Sequence, residues 1–333
     1  MFLPSRTGSG LPICRRGLRF IRDREETVMS LQVRPFRRSD RDQLTALVNS
    51  HVDAVMPGGA LPVNSVLAQL EREPGEFIVD PWVAERVVLV AEETNGIVAA
   101  ALLQRYRPDA DVPEAYRGAG EIRWLLFMPL APENNPHWHD GNAAAAALVS
   151  HCFKQFSDWK SGVLHADCAL PAPGLFGVPE QWPHIAALYR NAGFTPSHRE
   201  SVYLVELAAI AVPRPSPDVR ISRSVGINGV RFTAMIDSSQ LGFIEVERLT
   251  GPDRRSGPAV ADVGNLWVTD GYEHRDIDTL LLQHAAAWLR LGRVDQLLAY
   301  ASPDTPADGP MRAFLANNAF SIVTTTERGW TRT

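Results

Sequence analysis

The sequence predicts two α/β domains built from one repeated unit, and three observations carry that prediction. The first is a strand–helix–strand–helix run. It comprises the apolar strand Glu121–Met128, an Ala-rich helix from near Asn142, the strand Val163–Leu170 and a helix from about Trp182 that ends Ala187-Leu188-Tyr189-Arg190-Asn191-Ala192-Gly193-Phe194. The second is a weaker copy of the same order: Gly264–Val268, a helix from about Asp276 to Leu291, Gln296–Tyr300, and a closing helix over Ala313–Phe320. The third is length, since 333 residues exceed one ordinary domain and suit two of about 150 residues each.

The remaining elements follow in chain order. Leu31–Phe36 reads as a first strand, and Ser39-Asp40 precedes a helix whose apolar residues Leu44, Leu47, Val48 and Val52 recur at helical spacing. Pro62 to Glu73 is a second helix, with Pro at its start and Pro-Gly beyond its end. Val87–Ala91 and Ile97–Leu103 form a hairpin around Thr94-Asn95-Gly96. Ser201–Leu207 is expected to close the first domain. The three prolines of Ala211–Asp218 make a stiff linker, which places the domains at 29–212 and 213–333. In the second domain Ile221–Val225, Arg231–Met235 and Leu241–Arg248 are strands, with no room for the two helices that follow the first strand of domain one. Residues 1–28 carry six arginines and little apolar pattern, and are expected to be a disordered extension.

Composition narrows the function classes. A formal net charge of −5 supplies no basic field for nucleic acid, and no apolar run approaches the roughly 20 residues that span a bilayer. Cys14, Cys152 and Cys168 form no C-x-x-C pair and too small a set for a disulfide framework, which fits a reducing cytoplasm. His137-Trp138-His139-Asp140 lacks the ligand spacing of zinc motifs, so no metal is expected. His165 and Cys168 stand three apart on a strand and face opposite sides, which argues against a Cys-His nucleophile. Tyr116-Arg117-Gly118-Ala119-Gly120 resembles a phosphate-binding turn, but a strand rather than a helix follows it, so it is a loop. Trp182, at a helix start, packs there or lines an acceptor cleft.

The order of strand, two helices, hairpin, strand, helix, strand, helix, strand resembles the GNAT superfamily of acyl-CoA-dependent N-acyltransferases, over most of 31–207 and more loosely over about 220–330. The resemblance implies, for each domain, a mixed and mostly antiparallel sheet flanked by helices, with acetyl-CoA as co-substrate. It also implies transfer of an acetyl or short acyl group to a primary amine on a small molecule or peptide. By the same resemblance, the backbone of Leu126, Phe127 and Met128 holds the pantetheine arm, and the turn Gly141, Asn142, Ala143, Ala144 and Ala145 holds the pyrophosphate. The physical basis of that turn is a helix N-terminus whose amides and dipole favour an anion, with small residues allowing close approach. Asp140 departs from the family's usual Arg or Gln. Tyr189 corresponds to the tyrosine that protonates the leaving thiolate, and Glu121 to the base that deprotonates the amine. In the second copy Leu315 replaces the tyrosine, and the turn becomes Glu273-His274-Arg275-Asp276-Ile277-Asp278, acidic where the family has glycine. The first domain is therefore expected to be active and the second degenerate, shaping the acceptor site or a dimer interface. The rival expectation is a binding or scaffold protein that keeps the fold without acyl transfer.

Overall fold

The computed structural model describes residues 31–74, 80–94, 96–128, 141–172, 174–214, 216, 218–249, 257–272 and 276–332. The Arg-rich segment 1–28, the loop bearing His137, His139 and Asp140, and residues Glu273, His274 and Arg275 lie outside them.

The first half opens with β1 (Gln32–Pro35), α1 (Arg41–Val55) and α2 (Val63–Leu70). On α1 the residues Leu44, Leu47, Val48, His51, Val52 and Val55 share one buried face, as their helical spacing requires. The hairpin is β2 (Val83–Glu93) and β3 (Gly96–Tyr106), and β4 (Gly120–Phe127) leads to the long helix α3 (Gly141–Asp158). Then come the short β5 (Leu164–Ala166), β6 (Val178–Pro179), α4 (Pro183–Asn191) and β7 (His198–Glu206). Tyr116-Arg117-Gly118 is a loop ahead of β4, as the strand that follows it dictated.

The second half is β8 (Arg220–Val225), β9 (Val230–Ile236), β10 (Ser239–Arg248), β11 (Val260–Val268), α5 (Ile277–Leu291), β12 (Gln296–Ala301), α6 (Gly309–Asn317), β13 (Ser321–Arg328) and β14 (Trp330–Arg332). Among the described residues there are two sheets, ordered β1-β2-β3-β4-β5-β14 and β6-β13-β7-β12-β11-β10-β9-β8. Each is mixed: β4–β5 and β11–β12 pair parallel, and the other pairs are antiparallel.

One expectation is overturned. The strand at 201–207 does not close the first sheet: β7 lies between β12 and β13 in the second, with Tyr203 opposite Ala299 and Ile322. In return β14, at the end of the chain, pairs with β5, placing Trp330 opposite Ala166. β7 is apolar on both faces, with Val202, Tyr203 and Val205 all buried, and between β12 and β13 its backbone groups are paired along both edges. Trp330 is fully buried in the core of the first half. Each half thus supplies a strand to the other, across the linker expected to separate them.

Candidate active site

The site is built where two parallel strands part. β4 and β5 are in register at Gly120–Leu164, Glu121–His165 and Ile122–Ala166. Two further bonds, Asp167 N–H to the Ile122 carbonyl and Ala169 N–H to the Arg123 carbonyl, extend the contact to 2.9 and 3.0 Å. From Trp124 onward β4 is registered with β3. Because Met128 N–H donates to Val98 at 3.1 Å, antiparallel alternation turns the backbone groups of Trp124, Leu126 and Met128 to β3 and those of Leu125 and Phe127 to the opening. Of the three residues expected to cradle a pantetheine, Phe127 alone presents its amide and carbonyl there. Cys168 accepts the Leu125 N–H at the vertex, and burial raises its thiol pKa.

The helix that follows starts hard against the strand end. A Cβ on Gly141 would fall 2.1 Å from the Met128 carbonyl oxygen, so only glycine lets α3 begin there. Asn142 and Ala143 are exposed on the first turn, which holds no acidic residue, whereas Ala144 and Ala145 are buried in the core. The five residues expected to act together therefore split: Gly141 fixes the approach, Asn142 and Ala143 face outward, and Ala144 and Ala145 anchor the helix.

Tyr189 sits at the vertex, fully buried, with its hydroxyl donating to the Asp167 carbonyl at 3.0 Å. Burial, reinforced by Cys168 and Asp167, raises its pKa well above the phenol range, so it keeps its proton. Its ring meets Trp330 edge to face at 5.5 Å. Glu121 is also buried, at the far end of β4. One carboxylate oxygen accepts from Gln104 Nε2 and from Tyr106 Oη, and the other lies 3.6 Å from the Arg123 guanidinium. Glu121 and Phe127 are six residues apart on an extended strand, about 20 Å.

The motif reading missed a histidine pair at the opening. His51 of α1 and His184 of α4 bring their Nε2 atoms to 3.4 Å, and the Phe127 carbonyl faces both rings. His51 Nδ1 lies 2.8 Å from the Leu47 carbonyl, so it carries the proton and its Nε2 is the acceptor. His184 Nε2–H is then the donor between them. Burial lowers the pKa of His51; burial and then the neighbouring His51 push His184 down to about 4. Both rings are neutral at pH 7. Trp182, whose indole donates to the His51 carbonyl at 3.1 Å, packs against the His51 ring at 5.4 Å between centroids. The available signal was a histidine at position 51 on the otherwise apolar stripe of α1.

The second copy repeats the geometry with different contents. β11 and β12 register at Val260–Gln296, Ala261–Leu297 and Asp262–Leu298. Beyond them lies a cleft of about 260 Å³, lined by Gly264, Asn265, Leu266, Tyr300, Phe314 and Leu315 among others. Asp276 and Asp278 stand at the start of α5, and burial raises the Asp278 pKa. Among the described residues no group of three or more His, Cys, Asp or Glu is placed to hold a metal ion, and no helix is long and apolar enough to cross a membrane.

No protein-family model and no curated protein matches the sequence. Solved structures do match the fold. A tandem GNAT protein from the clavulanic acid biosynthesis pathway superposes with TM-score 0.61 at 18% identity, over 91% of this chain and 98% of that one. A GCN5-related N-acetyltransferase from Sphaerobacter thermophilus gives 0.55 at 12%, over 91% and 95%. A GCN5-related glucosamine N-acetyltransferase region of a fungal multi-domain β-N-acetylglucosaminidase gives 0.59 at 13%, over 91% of this chain and 38% of that one. Two mixed sheets, each with a parallel pair that parts beside a helix, give this chain the tandem GNAT fold of α/β type.

Proposed function

We propose that the chain is an N-acyltransferase that moves an acetyl or other short acyl group from coenzyme A to a primary amine. The observation that supports this most is the parting of β4 from β5 beside a helix N-terminus with no acid in its first turn. The amides at the start of α3, from Gly141 to Ala143, suit a pyrophosphate, and Ala144 and Ala145 hold the helix in place. The Phe127 backbone, on the open side of β4, suits the pantetheine arm and the thioester carbonyl. Tyr189, which keeps its proton, would exchange its bond to the Asp167 carbonyl for one to the thiolate that forms as the carbon–sulfur bond breaks. Glu121, at the far end of β4 with its oxygens engaged by Gln104, Tyr106 and Arg123, does not serve as the base expected of it in this reading. The neutral His184, half-buried at the opening, takes at Nδ1 the proton that the amine releases as its nitrogen bonds to the acyl carbon.

The expected halves 29–212 and 213–333 remain our functional division, with the first carrying the chemistry. A cytoplasmic setting and a homodimer stand as proposals on the same footing. Calorimetric titration of acetyl-CoA into the full chain tests the reading. One saturable event, weakened when exposed Ala143 becomes Asp, supports it; no binding sinks it. That second outcome favours a non-catalytic scaffold, a reading supported by the packed vertex, where Cys168 already takes the Leu125 amide.

A further inference from the structure

An apolar hollow lies at the junction of the two halves, walled by the helix that carries His51. It has a volume of about 240 Å³. One wall is the end of α1 and the segment after it, with Val52, Val55, Met56 and Leu61; the other is the second sheet, with Leu204 and Val260. None of its lining residues is charged, and Gln296 is the single polar side chain among them. The Gln296 amide nitrogen donates to Glu206 at 2.6 Å, while its Oε1 is buried without a hydrogen-bond partner.

The hollow is held open by the backbone. Asn49 clamps Leu61 through both its N–H, at 2.7 Å, and its carbonyl, at 3.1 Å, and Asp53 accepts the Gly58 N–H at 2.7 Å. Gly58, Gly59 and Ala60 then cross the rim almost without side chains. Gly58 has φ +78°, and a Cβ on Gly59 would meet the Met56 carbonyl at 2.8 Å. A pocket fixed in this way does not pay to form when it is filled. His51, Val52 and Val55 share one buried face of α1, so the helix that walls the hollow also carries the histidine at the opening of β4.

We infer that this hollow seats the apolar body of the acceptor, which makes the acceptor a primary amine bearing a compact, uncharged alkyl or aryl group. The inference rests on the acyl-transfer reading for the amine, and on the hollow alone for the apolar body. Its volume matches roughly eight water-sized groups, the bulk of a phenylethyl group. The unpartnered Gln296 Oε1 supplies one acceptor for an N–H or O–H on that body, and the absence of charged lining disfavours a sugar amine or a diamine, whose polar groups would lose water without replacement.

The test uses the full chain and a series of n-alkylamines from ethylamine to octylamine, with 2-phenylethylamine and D-glucosamine as contrasting probes. Binding is read by calorimetry, and transfer from acetyl-CoA by thiol release. Affinity should rise about fourfold per methylene until the hollow is full and then level off. Phenylethylamine should bind at least tenfold more tightly than glucosamine. Ala60→Phe on the exposed rim, and separately Val323→Phe on the opposite wall, should each abolish the chain-length dependence. The pair keeps the test valid if one variant misfolds. Turnover without chain-length dependence, or a preference for glucosamine, overturns the pocket while leaving acyl transfer standing. Chain-length-dependent amine binding with no acetyl-CoA binding supports the pocket and overturns the acyl-transfer reading.

Discussion

The two places where parallel strands part have exchanged their merits. In the first, the opening turn of α3 bears no acid, although Asp140 precedes it in the sequence, and the vertex is packed by Tyr189, Cys168 and the neighbouring Trp182. In the second, Leu315 stands where the first has Tyr189 and a cleft of about 260 Å³ remains, but Asp276 and Asp278 occupy the helix start. Volume and charge are separate requirements for a phosphate-bearing ligand, and here each copy meets one. A shape-based reading favours the second copy; a charge-based reading favours the first. We weight charge, because a carboxylate beside a pyrophosphate is a persistent repulsion.

The copies also depend on each other, and the largest predicted effect comes from breaking that dependence. Trp330 belongs to the last strand yet fills the first core beside Tyr189, with the Arg190 guanidinium 5.3 Å from its ring. Trp330→Ala should cost about 3–5 kcal/mol of stability, measured by urea unfolding of the full chain. It should also loosen Tyr189, read as a loss of near-ultraviolet circular dichroism. A cost below about 1 kcal/mol would mean that the exchanged strand is not part of the first core. The same logic predicts that residues 29–212 alone, lacking β14 and leaving β7 without β12 and β13, aggregate rather than fold, as their sedimentation would show.

A smaller effect sharpens the comparison directly. Ala143→Asp places a carboxylate at the start of α3, as the second copy has at α5, and should weaken acetyl-CoA binding to the full chain about three- to tenfold. The reverse change, Asp276→Asn with Asp278→Asn, removes the acidic lip from the open cleft. It should add a second, weaker binding event in calorimetry. A stoichiometry that stays at one would show that the second cleft is closed to the ligand by more than its charge.

The limits of the sequence are visible in particular residues. The repeat, the hairpin, the loop at Tyr116–Gly118 and the acids of the second turn were legible because spacing and charge are local properties. The destination of β7 was not, since an apolar alternation records that a strand is buried but not which strands flank it. Likewise the pattern around Ala143 and Ala145 located small residues without showing that one is exposed and the other in the core. In the sequence His184 is only one residue of a helix start, and His51 stands on an apolar stripe. Their pairing joins positions 133 residues apart, and nothing in the periodicity of either helix reports it.

That pairing yields the smallest predicted effect, and its sign follows from proton uptake. His184, pushed down to about 4 by burial and by His51, and His51, lowered by burial, stay neutral in the fold while the unfolded chain takes up protons near pH 6.5. Between those values the unfolded state binds more protons, so stability falls as pH falls from about 6.5 toward 4, and is fully present above that window. One titrating histidine contributes a slope of at most about 1.4 kcal/mol per pH unit. Carboxylates such as Asp40, whose pKa is lowered by Arg34, add their own acid dependence, so the informative quantity is the difference between wild type and His184→Gln. Glutamine retains an N–H for His51 but takes up no proton, and its unfolding free energy should fall less steeply over pH 6.5 to 4. Parallel slopes would show that His184 is already solvated in the native state, and would remove it as the neutral proton acceptor at the opening of the first sheet.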